Sequence, residues 1–232
     1  MDKLRNPPLV GAALNITFPH NLRISNLRAD YYEDIKDVFP HIVLPEIKSL
    51  TYDFSDCNFQ NKEGNGQIRL GTSYFSFETL KYEKSDKFWE LFERLFSQFV
   101  KRITIPQING FGIDFLNKIV IKSEIGASFA DYFTLALISK GTLPRDFVTF
   151  DGQVVLKAGV DLLKVDVRPA QNPQTRQYDF NILDFRINYI AGRTIPVDAG
   201  LKSIKNVFDE GHKHIEDVFR SSLTDKYWET IR

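Results

Sequence analysis

The chain has 232 residues, of which 43% are hydrophobic and 26% are charged, and its 30 Lys and Arg residues are balanced by 30 Asp and Glu. This length and composition predict a globular protein with a substantial core. A formal net charge of zero argues against a general nucleic-acid binder, which needs a basic excess to neutralise phosphates, and it gives no support to binding at a membrane surface.

The sequence also bears on where the protein acts. The N-terminal residues lack the apolar stretch of a signal peptide, and no apolar run approaches the roughly 20 residues that a membrane span needs. Cys57 is the one cysteine, which fits a reducing compartment. We therefore expect a cytoplasmic protein without membrane contact. Cys57 is expected to be a loop thiol without function, because a catalytic cysteine needs an adjacent base.

The first half of the chain predicts strands, a short helix and a long helix. The predicted elements are a strand over 9–18, a helix capped by Ser25 or Asn26 and ending near Phe39, strands over 42–54 and 67–82, and a helix over 86–102 capped by Ser85. Between the two later strands, residues 56–66 predict a long hairpin loop. The long helix carries a broad apolar face with Phe88, Phe92, Leu95, Phe96 and Phe99 at helical spacing, which predicts that it packs on a sheet.

The second half repeats this order. It predicts strands over 111–121, 147–157, 162–167 and 178–190, a short helix near 129–138, a turn-rich segment over 169–177, a long helix over 198–219 and a final short helix from Asp225. The pattern indicates one domain over 1–232, with similar halves at 1–106 and 107–232. We predict an α+β fold in which an antiparallel sheet carries both long helices on one face, in a helix-grip or saddle arrangement.

The histidines are weak candidates for chemistry. His212 and His214 are two residues apart on the last long helix, so they point to different faces and cannot share a metal as an i, i+4 pair would. Local packing or hydrogen bonding is the favoured interpretation for His212. His20 and His41 lie next to prolines at element boundaries and are predicted to be turn residues.

Four carboxylates come from neighbouring predicted strands, and two of them could meet for acid–base or metal chemistry. They are Asp161, Asp166, Asp179 and Asp184. Arg168, Arg176 and Arg186 lie in the same region, so cross-strand ion pairing is the favoured interpretation. No residue is predicted to be catalytic, to bind a cofactor or to bind a metal, and the roles of Asn117, Asp184 and His212 stay open between structure and function.

Two further motifs are similar to known binding sites. Gly64-Asn65-Gly66 is not predicted to be a phosphate loop, because a strand rather than a helix follows it. The aromatic strand Tyr74-Phe75-Ser76-Phe77 is similar to the stacking surface of sheets that bind single-stranded RNA, although acidic Glu78 and Glu83 oppose the nearby lysines. Core packing is favoured for this strand, and RNA binding is the alternative.

Three short signatures follow one another in the second half. They are Gly-Ile-Asp-Phe-Leu-Asn-Lys-Ile at 112–119, Asp-Tyr-Phe at 131–133, and a closing helix with His212, Phe219 and Leu-Thr-Asp at 223–225. None is a chemical motif, and each is predicted to shape the fold. With Asn-Pro-Pro-Leu-Val at 6–10 and Asp184, they make the chain resemble a family of uncharacterised bacterial and archaeal proteins of about this size, sporadically distributed among genomes.

The resemblance implies a biological role but no enzymatic reaction. Sporadic distribution implies horizontal transfer, and genes of this kind often belong to mobile defence or toxin–antitoxin systems. The leading hypothesis is therefore a non-enzymatic module that binds a protein encoded nearby. The alternative is a nucleic-acid-binding or processing protein, and a hydrolase with a composite carboxylate site has the least support. The family pattern has an acidic residue at Gly11, a basic one at Asp114 and an acidic one at Arg186, so this chain departs from it at three positions.

Overall fold

The computed structural model describes residues 8–43, 56–122, 131–134, 152–172 and 174–231. Within these residues the chain forms four α-helices and a large antiparallel sheet, which confirms the predicted α+β class. The finer prediction, two similar halves in a helix-grip arrangement, stays a prediction.

The elements follow in chain order. The helices are α1 (Arg23–Ile35), α2 (Ser85–Arg102), α3 (Lys202–Ser222) and α4 (Asp225–Ile231), and a 3-10 turn (Ala199–Leu201) precedes α3. The strands are β1 (Leu9–Thr17), β2 (His41–Val43), β3 (Cys57–Gln60), β4 (Gly66–Leu70), β5 (Tyr74–Thr79), β6 (Gln107–Ile108), β7 (Gly110–Val120), β8 (Gly152–Ala158), β9 (Asp161–Gln171), β10 (Tyr178–Ala191) and β11 (Ile195–Pro196).

The chain divides into two compact units, each assembled from separate stretches of sequence. The first unit comprises Gly11–Ile113 and Ile190–His212. The second unit comprises Met1–Val10, Asp114–Tyr189 and Lys213–Arg232. Strands β1, β7 and β10 and helix α3 therefore contribute residues to both units.

In the first unit, the strands are hydrogen-bonded in the order β2-β3-β4-β5-β1, and the paired strands are antiparallel. Buried apolar residues recur at every second position in β1, β3, β4 and β5, so one face becomes the core: Leu14, Ile16, Phe59, Ile68, Phe75 and Phe77 are at most 1% exposed. The other face is polar. There Gln67 Nε2 donates to Glu78 Oε2 at 2.7 Å, and Ser76 Oγ donates to Asn15 Oδ1 at 2.6 Å.

Helix α2 covers this apolar face with aromatic side chains. The ring of Phe75 lies 5.2 Å from Phe96 and 5.5 Å from Phe99, and Phe77 stacks on Phe88 at 5.1 Å. All these residues are buried, so the predicted apolar face of this helix is confirmed as core. Helix α1 joins the same core, since the buried Tyr31 hydroxyl donates to the Leu95 carbonyl at 3.2 Å.

In the second unit, the strand order is β7-β10-β9-β8. Strands β8 and β9 form an antiparallel hairpin in which Val155 is paired with Lys164 and Gly152 with Val167. The core side chains of β10 alternate with polar ones, and Phe185 stacks on Phe219 of α3 at 5.9 Å. Pro169 lies in β9 beyond Val167, the last β9 residue that pairs with β8 in the described part of the chain.

Two strand predictions were wrong in the first unit. Residues 56–66 are not one long loop, because β3 (Cys57–Gln60) lies inside them and places Cys57 and Phe59 in the core. The predicted strand over 67–82 is two strands, since Gly71 N donates to Tyr74 O at 3.0 Å and closes a turn between β4 and β5. The predicted strand over 42–54 and the predicted strand starting at 147 are described only in part, as are the residues of the predicted helix over 129–138.

The predicted helix caps also need correction. Helix α1 begins at Arg23, before Ser25 and Asn26, because the Asn21 side chain already accepts the Arg23 N–H at 3.1 Å. Ser85 is the first residue of α2 rather than its cap. The long helix predicted over 198–219 starts later than expected, because a 3-10 turn (Ala199–Leu201) with a left-handed Gly200 precedes α3, which begins at Lys202. Asp198 accepts hydrogen bonds from the backbone and hydroxyl of Ser203.

Candidate functional site

Two of the signatures, Asp-Tyr-Phe at 131–133 and Leu-Thr-Asp at 223–225, meet at one place, centred on Tyr132. Its ring is fully buried, and its hydroxyl donates to the carbonyl of Lys122, just after β7, at 2.9 Å. The same hydroxyl accepts a hydrogen bond from the Lys122 N–H. Its backbone carbonyl accepts the Thr224 N–H at 2.9 Å. Tyr132 therefore connects the end of the first signature strand to the closing Leu-Thr-Asp signature.

Thr224 secures the same junction from the other side. Its hydroxyl donates to the Asp131 carbonyl at 2.6 Å and accepts the Tyr227 N–H at 3.2 Å, so it also caps α4. Phe133 and Leu223 form an antiparallel bridge beside it. We call the residues Lys122, Asp131–Thr134 and Leu223–Tyr227 the clasp. The geometry agrees with the expectation that these signatures shape the fold.

We expect Tyr132→Phe to lower the free energy of unfolding by about 0.5–1.5 kcal/mol, because the change removes the hydrogen bonds between the buried Tyr132 hydroxyl and the Lys122 backbone. Chemical denaturation followed by circular dichroism measures this loss. Tyr178→Phe is the matched control, since Tyr178 is 54% exposed. A Tyr132→Phe protein as stable as the control variant would show that the hydroxyl contributes nothing to the clasp.

The first signature strand holds one buried polar residue, Asn117. It is 3% exposed on the core face of β7, and its Nδ2 donates to the Phe185 carbonyl of β10 at 3.2 Å. A buried amide with a backbone partner stabilises the junction of two strands. The structure thus gives Asn117 a structural role.

An ion pair joins two neighbouring strands of the second unit. Arg186 Nη1 of β10 lies 3.7 Å from Asp114 Oδ2 of β7, on the side of these strands away from the core. Asp184 lies on the same side of β10, half-buried, and its Oδ1 is a buried atom with no hydrogen-bond partner in the described part of the chain.

The paired histidines pack against aromatic rings. His212 stacks on Phe208 with ring centroids 6.1 Å apart, and His214 stacks on Tyr189 at 6.2 Å. The two rings have different neighbours, as their spacing predicts. Of the other histidines, His20 lies between β1 and α1, where its Nδ1 is 3.2 Å from the Thr72 hydroxyl, whereas His41 begins β2 and is not a turn residue.

The structure does not bring the four predicted carboxylates together as a set. Asp161 is buried on the core face at the start of β9, and it accepts a hydrogen bond from the Tyr189 hydroxyl. Asp166 is paired with Gln153 and lies on the opposite face of β9 from Asp161, because side chains alternate along a strand and its number differs from that of Asp161 by an odd offset. Asp179 accepts the Asn181 N–H at 2.9 Å. One ion pair of this region joins Arg186 to Asp114, which was not among the four predicted carboxylates.

Cys57 is not a surface thiol. It is 4% exposed within β3, and burial raises the pKa of its thiol. Both effects make the thiolate scarce at neutral pH, so the residue behaves as a small apolar side chain. Gly64-Asn65-Gly66 closes the β3–β4 hairpin, where the Asn61 side chain accepts the N–H groups of Asn65 and Gly66, each at 3.0 Å.

The aromatic strand is part of the core. Phe75 and Phe77 are at most 1% exposed beneath α2, and Ser76 is buried on the other face. Only Tyr74 is half-exposed, and one ring does not make a stacking surface for successive bases. The favoured interpretation, core packing, is correct for Phe75 and Phe77. The alternative, RNA binding, needed these rings to be exposed for base stacking.

A different surface stands out in the second unit: the β8–β9 hairpin. β8 is the last strand in its sheet, so in the described residues its outer backbone edge has no neighbouring strand. Four large apolar side chains are exposed along this hairpin. Val155 is 56% exposed, Leu156 37%, Val160 70% and Leu162 38%. Natural edge strands are usually protected by charges, proline or bulges, whereas β8 carries Lys157 alone.

The exposed hairpin is firmly attached at its base. Gly159 has a φ of 65°, in the left-handed region that favours glycine, and closes the turn between Ala158 and Asp161. Asp161 then bonds to the Tyr189 hydroxyl inside the core. The edge is therefore presented in a fixed position. The sequence predicted the strand, but strand order, which makes it an edge, could not be deduced from the pattern.

Comparison with known proteins does not assign this chain to a group. No protein-family model and no curated protein sequence matches it. Within the described residues, no three or more His, Cys, Asp or Glu side chains are grouped so that they could hold a metal ion. None of the described helices combines the length and the apolar character that crossing a membrane requires.

Proposed function

We propose that this chain is a partner-recognition module, and that it binds an extended segment of another protein by strand addition along β8. The observation that carries the proposal is the open edge of β8 with exposed Val155 and Leu156. Main-chain hydrogen bonds supply affinity in strand addition, and side-chain contacts supply specificity.

The exposed side chains supply those contacts on both faces. Leu156 is paired with the buried Leu163, so it extends the core face beyond the sheet, and Val155 lies on the opposite face. A strand added at this edge would bury apolar area on each side, which is the main favourable term in protein association. Fixed attachment at Asp161 lowers the entropy cost of binding.

The resemblance adds a class of partner to this proposal. If the chain belongs to the sporadically distributed family that its signatures indicate, the partner is a protein encoded nearby in a mobile defence or toxin–antitoxin type system. The proposal includes no catalysis, since the support lies in the edge and in the structural role of the clasp.

We expect the tagged protein to recover a product of an adjacent gene from a host that carries the native gene neighbourhood. Val155→Lys is expected to abolish this recovery, because a lysine on an edge strand opposes strand addition. Leu80→Lys is the matched control, since Leu80 is also 56% exposed but lies outside the hairpin. Protection of β8 amides from hydrogen exchange by the recovered partner places the contact. Equal recovery by both variants would contradict the proposal.

Binding to RNA and DNA is the control for the alternative function. With a formal net charge of zero, we expect nucleic-acid affinity to be weak and to fall quickly with salt. Filter binding near physiological ionic strength, where screening is strong, measures it. Submicromolar binding there, with no protein recovered, would favour the nucleic-acid alternative.

The finer fold prediction belongs with this proposal. We propose that both long helices lie on one face of the sheet, as in a helix-grip arrangement. The packing of Phe96 of α2 on Phe75 of β5, and of Phe219 of α3 on Phe185 of β10, supports it within each unit.

A further inference from the structure

Strand β8 has a sequence that is complementary to itself. It reads Gly-Gln-Val-Val-Leu-Lys-Ala from Gly152 to Ala158. If a second copy pairs antiparallel about Val155, each Val154 faces a Leu156 and each Gln153 faces a Lys157. Apolar residues then face apolar residues, and no two like charges lie opposite each other.

The neighbouring registers are poorer. Centring the pair on Val154 places Gln153 opposite Val155, and centring it on Leu156 places Lys157 opposite Val155. Each shift replaces an apolar contact by a polar one. The side-chain pattern therefore specifies a single register, as it does between strands of one chain.

We propose that a second copy of this chain occupies the β8 edge in the isolated protein, through an antiparallel β8–β8 pair centred on Val155. This inference rests on the proposed function, because it names what closes the recognition edge when no other partner is bound. Such a pair is isologous, the commonest symmetry of soluble oligomers. It covers the outer edge of β8 and buries Val155 and Leu156 of both copies. A different protein partner must then displace the second copy.

Charge substitution at the symmetry axis tests the proposal directly. Val155→Lys places two lysines opposite each other, and Val155→Glu places two glutamates opposite each other. We expect the wild-type chain to be a dimer in sedimentation equilibrium and each variant to be a monomer. An equimolar mixture of the two variants is expected to restore a dimer, because lysine then faces glutamate.

Substitutions at a second position distinguish an effect on the dimer from an effect on the stability of the hairpin. Gln153 is exposed and is paired with Asp166 within the chain, whereas it faces Lys157 of the other copy. Gln153→Lys is therefore expected to support the hairpin but weaken the dimer, and Gln153→Glu to do the reverse. The proposed register therefore predicts that Gln153→Lys raises both the melting temperature measured at low concentration and the dissociation constant of the dimer. It predicts that Gln153→Glu lowers both.

The outcomes distinguish this inference from the proposed function. A wild-type monomer that still loses its gene-neighbour partner through Val155→Lys overturns the dimer and keeps the recognition edge. If the mixed variants restore a dimer but Val155→Lys leaves partner recovery unaffected, the dimer inference stands. Strand addition by a different protein is then overturned. A dimer that persists in both single variants uses another surface and overturns the inference.

Discussion

Phe92→Ala is expected to lower the free energy of unfolding by about 3–5 kcal/mol, a large share of the stability of a typical domain. Phe92 is fully buried in α2, where its ring lies 5.2 Å from Trp89, 5.4 Å from Phe96 and 6.2 Å from Phe75. Removing the ring leaves a cavity lined by aromatic side chains that are held by other contacts, so the site cannot collapse to fill it.

Urea denaturation of the wild type and the variant measures this effect. Leu80→Ala is the matched control, because Leu80 is 56% exposed and a substitution there is expected to change stability by less than about 0.5 kcal/mol. If the loss for Phe92→Ala is below about 1 kcal/mol, the apolar face of α2 is accessible to solvent, and this helix becomes a candidate groove for a partner.

Truncation before Asp198 is expected to abolish cooperative folding. The deleted segment supplies Leu201, Ile204 and Phe208 to the first unit, where Phe208 lies 5.1 Å from Trp89, and it supplies Ile215, Leu223 and Tyr227 to the second. Both cores would lose the apolar side chains of α3 and α4 that pack against them. The apolar surface exposed in this way would drive aggregation or a molten state.

Solubility, near-ultraviolet circular dichroism and the sharpness of the thermal transition measure this outcome. The full chain, purified in the same way, is the reference. A soluble truncated protein that melts in one sharp transition would contradict the prediction, since it would show that neither core depends on α3 and α4.

The success of sequence-based prediction followed the strength of the hydrophobic pattern. Helix α2 was placed within one residue because its apolar positions recur at helical spacing from Phe88 to Phe99, over roughly three turns. Strand β3 was missed because it has only four residues, of which Asn58 and Gln60 are polar and signal a loop. The turn at Gly71 was missed although the buried apolar positions change there from even numbers (Ile68, Leu70) to odd numbers (Phe75, Phe77).

The contacts between side chains of different strands in the second unit could be predicted even less well from the sequence. The pairing of Arg186 with Asp114, and of Tyr189 with Asp161, joins residues on different strands whose adjacency depends on strand order. Strand order is set by the whole fold, so one sequence without its structure cannot supply it. For the same reason, the exposed edge of β8 emerged only with the fold.

The clasp has a consequence for the way this chain folds during its synthesis. Thr224 and Asp131, which it joins, are 93 residues apart. A ribosome delivers Asp131 long before Thr224, so the second unit cannot close until nearly all of these residues have emerged. During that interval its apolar strands, including the open hairpin, are exposed to other nascent chains, and contacts this distant in sequence form slowly. We therefore expect the yield of native protein to depend on chaperones and on growth temperature more strongly than its final stability would suggest.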